Sequence, residues 1–371
     1  MFDILIENSI LIQRGALYSF KYSYWVFYFG AKRMHNCAEF ATYILADYVY
    51  TKFPEIIEFY TGIDRQRNDA ICALIKDIRT VQDEVNQKCG LPDDFTPLSD
   101  ARWNPSDEQI DKMKDVINNG IQESNLPDSI KDAYSDENYD RKKPYNQDIR
   151  TILSESSLVN MMLSMKAGAR ALRNSDYVDS KLKLQLLEEI SRCWNQTSQV
   201  ILILLPLLAE NGRAQFDGAG FILCGDFGDT IQKRINNILS ELSANIVRWV
   251  QDDIYSAKLV PLFRKKITTE KNDFNRHNIN ILLLRNRPSG WENDIQQYLN
   301  SLQKNSFYLY DLFRALKNEY SYGCMNQKTL ITVGNLMKMC MTKHVNGIKK
   351  PTIKDANRNI SDKIFPERKE S

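Results

Sequence analysis

The sequence has few of the residues that make turns, with 15 glycines and 11 prolines among 371 residues. Proteins built on a Rossmann sheet, a β-barrel or a β-sandwich need many turns and normally contain more of both residues. The scarcity therefore favours long helices. A composition of 43% apolar and 26% charged residues is that of a globular chain, neither disordered nor fibrous. The length indicates two to three domains.

Cysteine and histidine are also scarce and scattered. The seven cysteines are odd in number and form no CxxC pair, so we expect reduced thiols rather than a disulfide framework or a structural zinc site. The three histidines, His35, His277 and His344, have no neighbours at metal-ligand spacing, and we interpret them as surface or capping residues. We therefore expect neither a metal nor another cofactor.

Several catalytic motifs are missing. No Gly-Lys pair occurs in the chain, which excludes an intact P-loop, and GxSxG and HExxH are absent as well. The tripeptide Asp226-Phe227-Gly228 matches the metal-binding motif of kinases, but no HRD loop accompanies it, so we interpret it as coincidence. We interpret Gly218-Ala-Gly220 as a turn between helices rather than a dinucleotide loop. We predict that the chain is not an enzyme.

One catalytic alternative stays open. Asp179-Ser-Lys181 has the form of half a metal-nuclease core, and Pro127-Asp128 has the form of the other half. Such a core needs a mixed sheet to hold the two halves together, whereas the flanking sequence is helical. A cryptic nuclease is therefore our third interpretation of the chain.

No apolar run is long enough to cross a bilayer. The longest, over residues 200–209, is half of the ~20 residues that a membrane-spanning helix needs, and Pro206 interrupts it. The N-terminal residues have no basic region and no small-residue cleavage site, so they do not form a signal peptide. We expect a cytoplasmic protein without a membrane partner.

Helical periodicity is the strongest positive signal. Apolar positions in 148–251 recur at alternating spacings of four and three residues, as on one face of a helix. They include Leu186, Ile190, Cys193, Thr197, Val200, Leu204 and Leu207, and then Ile231, Ile235, Ile238, Leu242 and Trp249. We predict an all-α fold, in which long helices form a bundle or a superhelical array, with one short N-terminal β-hairpin.

The N-terminal residues differ from the rest. Residues 2–7 fit the end of a helix, and two short runs around Arg14-Gly15 predict a β-hairpin. The aromatic stretch after it places Tyr24, Phe27, Tyr28 and Ala31 on one helical face. A lone two-stranded hairpin is marginally stable in water, so we expect this one to pack on another element.

This region resembles a segment of bacterial STAND ATPases, signal-transducing ATPases related to NACHT proteins. The similarity is in the run Gly15-Ala-Leu-Tyr18-Ser-Phe20-Lys-Tyr22, which has the form of that family's wing strand, and in the aromatic helix that ends at Ala31-Lys32. A weaker similarity, which includes Lys166, Gly168 and Leu172-Arg173-Asn174, extends it to about residue 267. In the family this segment follows the nucleotide-binding and winged-helix domains and opens a helical C-terminal region.

The resemblance implies a role for the aromatic residues. They would pack the winged helix against the helical array behind it, and the candidates are Tyr18, Phe20, Tyr22, Tyr24, Phe27, Tyr28 and Ala31. The family's nucleotide-sensing histidine has no counterpart at Phe20-Lys21-Tyr22, so the resemblance assigns no nucleotide contact.

Because the chain lacks a P-loop, the resemblance implies a non-enzymatic sensor and scaffold. It would be the C-terminal region of a STAND-type protein in prokaryotic antiphage defence, as a truncated or split product or as a subunit that completes an ATPase in trans. Its expected partners are the ATPase and effector half, its own copies or a phage-derived trigger.

The charge distribution supports an alternative. The net charge is +2, but residues 264–371 contain 20 basic and 10 acidic residues, an excess of ten positive charges. A basic surface there would bind nucleic acid or an acidic protein. Its candidate residues are Arg264, Lys265, Lys266, Arg285 and Arg287. The alternative function is thus a helical nucleic-acid-binding protein.

These patterns divide the chain into six predicted segments. They are a winged-helix remnant over 1–35, a small helical domain over 36–90, an acidic connector with short helices over 91–147, a long-helix bundle over 148–263, a basic helical domain over 264–346 and a disordered tail over 347–371.

Overall fold

A computed structural model of the chain describes residues 2–91, 98, 101–103, 105–125, 157–216, 219–225, 227–323 and 325–367. These residues contain sixteen α-helices and two small antiparallel hairpins. The predicted all-α fold with a short N-terminal hairpin is confirmed. The chain divides into two compact units, one of Met1–Glu84 with Ile149–Cys193 and one of Val85–Asp148 with Trp194–Ser371.

In chain order the described elements are α1 (Phe2–Glu7), β1 (Leu11–Arg14), β2 (Leu17–Phe20), α2 (Tyr24–Asn36), α3 (Ala38–Leu45), α4 (Pro54–Ile63), α5 (Asn68–Cys89), α6 (Asp107–Glu123), α7 (Ser157–Asn174), α8 (Ser180–Ile203), α9 (Leu205–Asn211), β3 (Arg213–Phe216), β4 (Ala219–Ile222), α10 (Ile231–Ile254), α11 (Val260–Thr269), α12 (Asp273–Asn286), α13 (Trp291–Ser301), α14 (Phe307–Tyr322), α15 (Gln327–Asn346) and α16 (Ile353–Asn359).

The N-terminal hairpin forms around the predicted turn. Leu11 pairs with Phe20 and Arg14 with Leu17, and Gly15 takes the left-handed conformation, with φ of 63°, that a two-residue turn requires. The second hairpin, β3 and β4, includes Gly220, where we predicted a turn between helices. Its strands are four residues long, too short for an alternating pattern to distinguish them from a loop.

The core of the first unit follows the helical periodicity. On α5 the near-helical spacing predicts one apolar stripe, and its residues Ile71, Leu74, Ile75, Ile78 and Val81 are buried. On α7 the apolar spacing predicts that Val159 and Leu163 face the core, and the structure differs. Leu158 and Met161 are buried, whereas Val159 and Leu163 are half-buried. Gly168 lies on the buried face of α7, where a Cβ would lie only 3.1 Å from the Ile78 Cδ1 atom.

In the second unit the long helix α10 buries only the middle of its predicted stripe. Ile235, Ile238 and Leu242 are buried, but Ile231 and Trp249 at its two ends are 36% and 44% exposed. The predicted boundary between residues 263 and 264 lies inside α11. In this helix the Lys266 ammonium binds the Glu270 carboxylate one turn later, at 2.9 Å. An i,i+4 pair of this kind supports a helix.

We predicted a disordered tail over residues 347–371, but the described part of this segment is folded. Residues 353–359 form α16, and the Phe365 ring stacks on the Tyr320 ring with centroids 5.0 Å apart. Gly334 on α15 leaves the space for this ring, since a Cβ there would lie 3.2 Å from Phe365. The Lys338 ammonium donates to the Asn357 side chain at 3.1 Å and fixes α16 on α15.

Helix α12 is buried on nearly all its faces, including its polar residues. His277 is fully buried, so the interpretation as a surface or capping histidine is wrong for this residue. Its Nδ1 atom lies 2.7 Å from the Tyr298 hydroxyl and its Nε2 atom 2.8 Å from the Asp311 carboxylate. Buried polar groups are retained when they are hydrogen-bonded in this way.

Replacing Asp311 by alanine tests this network. The change leaves the Nε2 atom of His277 buried without its partner, and we expect a loss of about 2–3 kcal/mol of unfolding free energy, measured by urea denaturation. The matched control is Asp115→Ala at an exposed position of α6, which should change stability by less than about 0.5 kcal/mol. Equal losses in the two variants would contradict a stabilising role for the network.

Candidate protein-interaction surface

The N-terminal aromatic residues are exposed to an unusual degree. We call the aromatic surface the set Phe2, Tyr18, Phe20, Tyr22, Tyr24 and Phe29, whose side chains are 38–54% exposed. All of them lie in the first unit, on α1, on β2, after β2 or on the first turns of α2. Large exposed apolar patches are rare on monomeric proteins and mark interaction sites.

Ring contacts join most of this surface into one network. Phe20 stacks on Phe29 with centroids 5.7 Å apart, and Tyr22 stacks on Tyr24 at 5.6 Å. Trp25 links the two pairs through Tyr24 at 4.8 Å and Phe29 at 5.9 Å. These contacts hold the hairpin on α2, as its marginal intrinsic stability requires.

The predicted packing face of α2 is buried at one end only. Ala31 is fully buried and Phe27 and Tyr28 are half-buried, whereas Tyr24 is exposed. On the hairpin, Tyr18 and Phe20 are exposed, and so is Tyr22 just beyond it. The structure thus brings the seven predicted packing residues into one region and leaves four of them with a large part of their surface free.

A groove of about 540 Å³ lies next to the aromatic surface. Its lining residues come from α2, α4 and the end of α7, and they are Tyr24, Tyr28, Glu55, Glu58, Phe59, Gly62, Ile63 and Asn174. The five residues from α4 recur at helical spacing and form one stripe along that helix. The groove could not be predicted from the sequence, because the exposure of this stripe depends on which helices cover the rest of α4.

Ion pairs fix the carboxylates of the groove. Arg170 on α7 lies 2.9 Å from Glu55 Oε1 and 3.2 Å from Glu58 Oε2, and Arg173 binds the other oxygen of Glu58. The Asn174 amide donates to the Glu58 carbonyl at 3.1 Å. These bonds connect α4 to α7 and set the position of the groove wall.

The predicted basic residues of the second unit do not form one free surface. Arg264 binds the Asp294 carboxylate at 2.8 Å, Lys266 is paired with Glu270, and Arg287 binds the Glu319 carboxylate. Of the remaining two, Lys265 is exposed and Arg285 is half-buried. Three of the five cations therefore already have acidic partners.

The candidate nuclease residues are not brought together within the part of the chain that the structure describes. The Asp179 carboxylate accepts the Lys181 backbone N–H at 2.7 Å and so caps the start of α8. Pro127 and Asp128 lie outside the described residues, as does Asp226 of the kinase-like tripeptide. Among the described residues no group of three or more His, Cys, Asp or Glu side chains is placed to hold a metal.

Comparison of the chain with models of known protein families, with curated proteins and with solved structures gives no match. Within the described ranges, none of the helices combines the length and the apolar content needed to span a bilayer.

His35 on α2 provides a pH-dependent contact close to this region. Its Nε2 atom lies 3.1 Å from the Tyr60 carbonyl oxygen of α4, and burial lowers the pKa of His35 below its ordinary value of 6.5. A histidine whose pKa is lower in the folded state contributes stability above its unfolded pKa and loses it as the pH falls through the folded pKa.

We therefore expect the urea midpoint to fall between about pH 7.5 and about pH 5.5. The variant His35→Gln keeps an N–H donor but does not titrate, so its midpoint should fall less than that of the wild type. His344, whose pKa is also lowered by burial, contributes a dependence of the same sign. A fall of the same size in His35→Gln would show that this histidine is not linked to folding.

Proposed function

We propose that this chain is a non-enzymatic helical sensor and scaffold that works through protein-protein contacts, as the C-terminal region of a STAND-type signalling ATPase in prokaryotic antiphage defence. The observation that carries the proposal is the aromatic surface. Six large aromatic side chains remain 38–54% exposed in one region, and an exposed apolar patch of this kind is typical of a surface that a partner covers.

The position of the surface supports the choice of partner. The residues that resemble the STAND wing and aromatic helix are the same residues that stay exposed, Tyr18 to Tyr24 above all. In the family these residues face a domain of the ATPase half. A P-loop protein is therefore the partner that we expect to cover them, and this chain itself has no Gly-Lys pair to form a P-loop.

Co-expression tests this proposal. The chain is produced together with the product of any P-loop reading frame in the flanking DNA, and the mass of the complex is measured by light scattering. We expect a complex of fixed stoichiometry. The double variant Tyr18→Ser/Phe20→Ser should weaken it by at least about 30-fold, because aromatic anchors at the centre of an interface contribute about 2 kcal/mol or more.

The matched control is Tyr177→Ser, which removes another tyrosine of the same unit that is 71% exposed. This variant should bind like the wild type. Loss of binding in both variants would indicate a general effect of lower apolarity and would contradict a specific surface. The proposal fails if the flanking DNA has no P-loop frame, or if its product does not bind the chain.

A further inference from the structure

We propose that the groove beside the aromatic surface is a recognition site for an arginine side chain. The inference rests on the proposed function in one respect, because the arginine is taken to belong to a protein partner. The evidence is the ring geometry of the groove, the charge of its lining and a glycine that the fold does not require.

Three aromatic side chains line the groove. Tyr28 on α2 and Phe59 on α4 are nearly perpendicular, at 84°, with their centroids 6.0 Å apart. Tyr24, one helical turn before Tyr28, adds a third aromatic side chain to the lining. A cation that lies against the faces of such rings is attracted by their electron-rich surfaces.

Arg170 and Arg173 balance the two carboxylate charges of the lining, and one carboxylate oxygen is left for a further cation. Glu55 and Glu58 are the charged residues among the eight that line the groove. Both oxygens of Glu58 are bound by arginines of α7, but Glu55 uses only Oε1, toward Arg170, and among the described residues its Oε2 atom has no partner. A guanidinium group donates through a planar fork and stacks on aromatic rings, so it suits both parts of this lining.

Gly62 gives the groove its depth. Glycine costs about 1 kcal/mol relative to alanine inside a helix, yet Gly62 has no positive φ, and a Cβ there would meet only the Asn174 side chain at 3.7 and 3.9 Å. Gly168 on α7 is different, because a Cβ there would lie 3.1 Å from Ile78. Packing requires a glycine at 168 but not at 62, where the missing side chain opens the groove.

The probe for this site is Nα-acetyl-arginine amide, and the neutral control is Nα-acetyl-citrulline amide, which has nearly the same shape. Binding to the full chain is followed by ligand-observed NMR titration. We expect the arginine probe to bind at least about tenfold more tightly than the citrulline probe, because only the first adds a charge-assisted hydrogen bond to Glu55 and a cation–π contact. Equal affinity for the two probes, or no binding of either, would overturn the inference.

Variants separate the parts of the site. Glu55→Gln and Phe59→Leu should each weaken the arginine probe by about fivefold or more, and Gly62→Leu should abolish its binding by filling the groove. Glu292→Gln, at an exposed position of the second unit, should have no effect. Binding that persists in Gly62→Leu would place the probe elsewhere and overturn the inference.

Two controls keep the result interpretable. Gly62→Ala should unfold at the wild-type temperature or above it, whereas Gly168→Ala should unfold at a lower temperature, because only the second crowds its neighbours.

The double variant Tyr18→Ser/Phe20→Ser should bind the arginine probe like the wild type. If the probe still binds when the P-loop partner does not, the proposed function fails and the arginine site stands; the reverse result overturns the arginine site alone.

Discussion

The anchoring of α4 is the constraint on which the candidate surface depends. Ile56, Ile57 and Tyr60 of this helix are buried to 7% exposure or less. Gly30 of α2 lies so close that a Cβ there would be 3.4 Å from Ile56. Because this face of α4 is fixed against its neighbours, the opposite stripe from Glu55 to Ile63 must line the groove.

Ion pairs between α4 and α7 also fix the wall of the groove. Arg170 connects Glu55 and Glu58, and its side chain is only 15% exposed. Pairs of this kind contribute little when they are fully exposed, but more when they are partly buried and share a partner. They also hold the carboxylates of Glu55 and Glu58 in place at the groove wall.

The helices could be predicted from local sequence patterns. The capping box of Ser106 and Gln109 forms at the start of α6 as its spacing indicates. The stripes on α5 and α8 are buried, because only one orientation of a long amphipathic helix places its whole apolar stripe in the core. The predicted aromatic residues also gather in one region, since they are close neighbours along the chain.

Features that depend on distant partners could not be predicted in this way. His277 is buried because α13 and α14 supply Tyr298 and Asp311, which lie 21 and 34 residues away. Phe365 is ordered by Tyr320 and by the space at Gly334. The groove needs α2 and α4 together with α7, whose Arg170 lies 112 residues beyond Glu58. In each case the burial of a residue is set by packing between helices, and its sequence neighbours carry no signal of it.

The same reasoning explains why Arg264 and Arg287, two of the candidate cations for nucleic acid, are already paired. Arg264 and Arg287 find their carboxylates, Asp294 and Glu319, on other helices, 30 and 32 residues further along the chain. A cation that is already paired releases few counterions when it meets a polyanion, so it adds little affinity for nucleic acid. The exposed aromatic rings, in contrast, gain free energy when water is removed from them, and this gain depends weakly on salt. This difference is the physical ground on which we propose a protein partner at the aromatic surface rather than a polyanion at these paired cations.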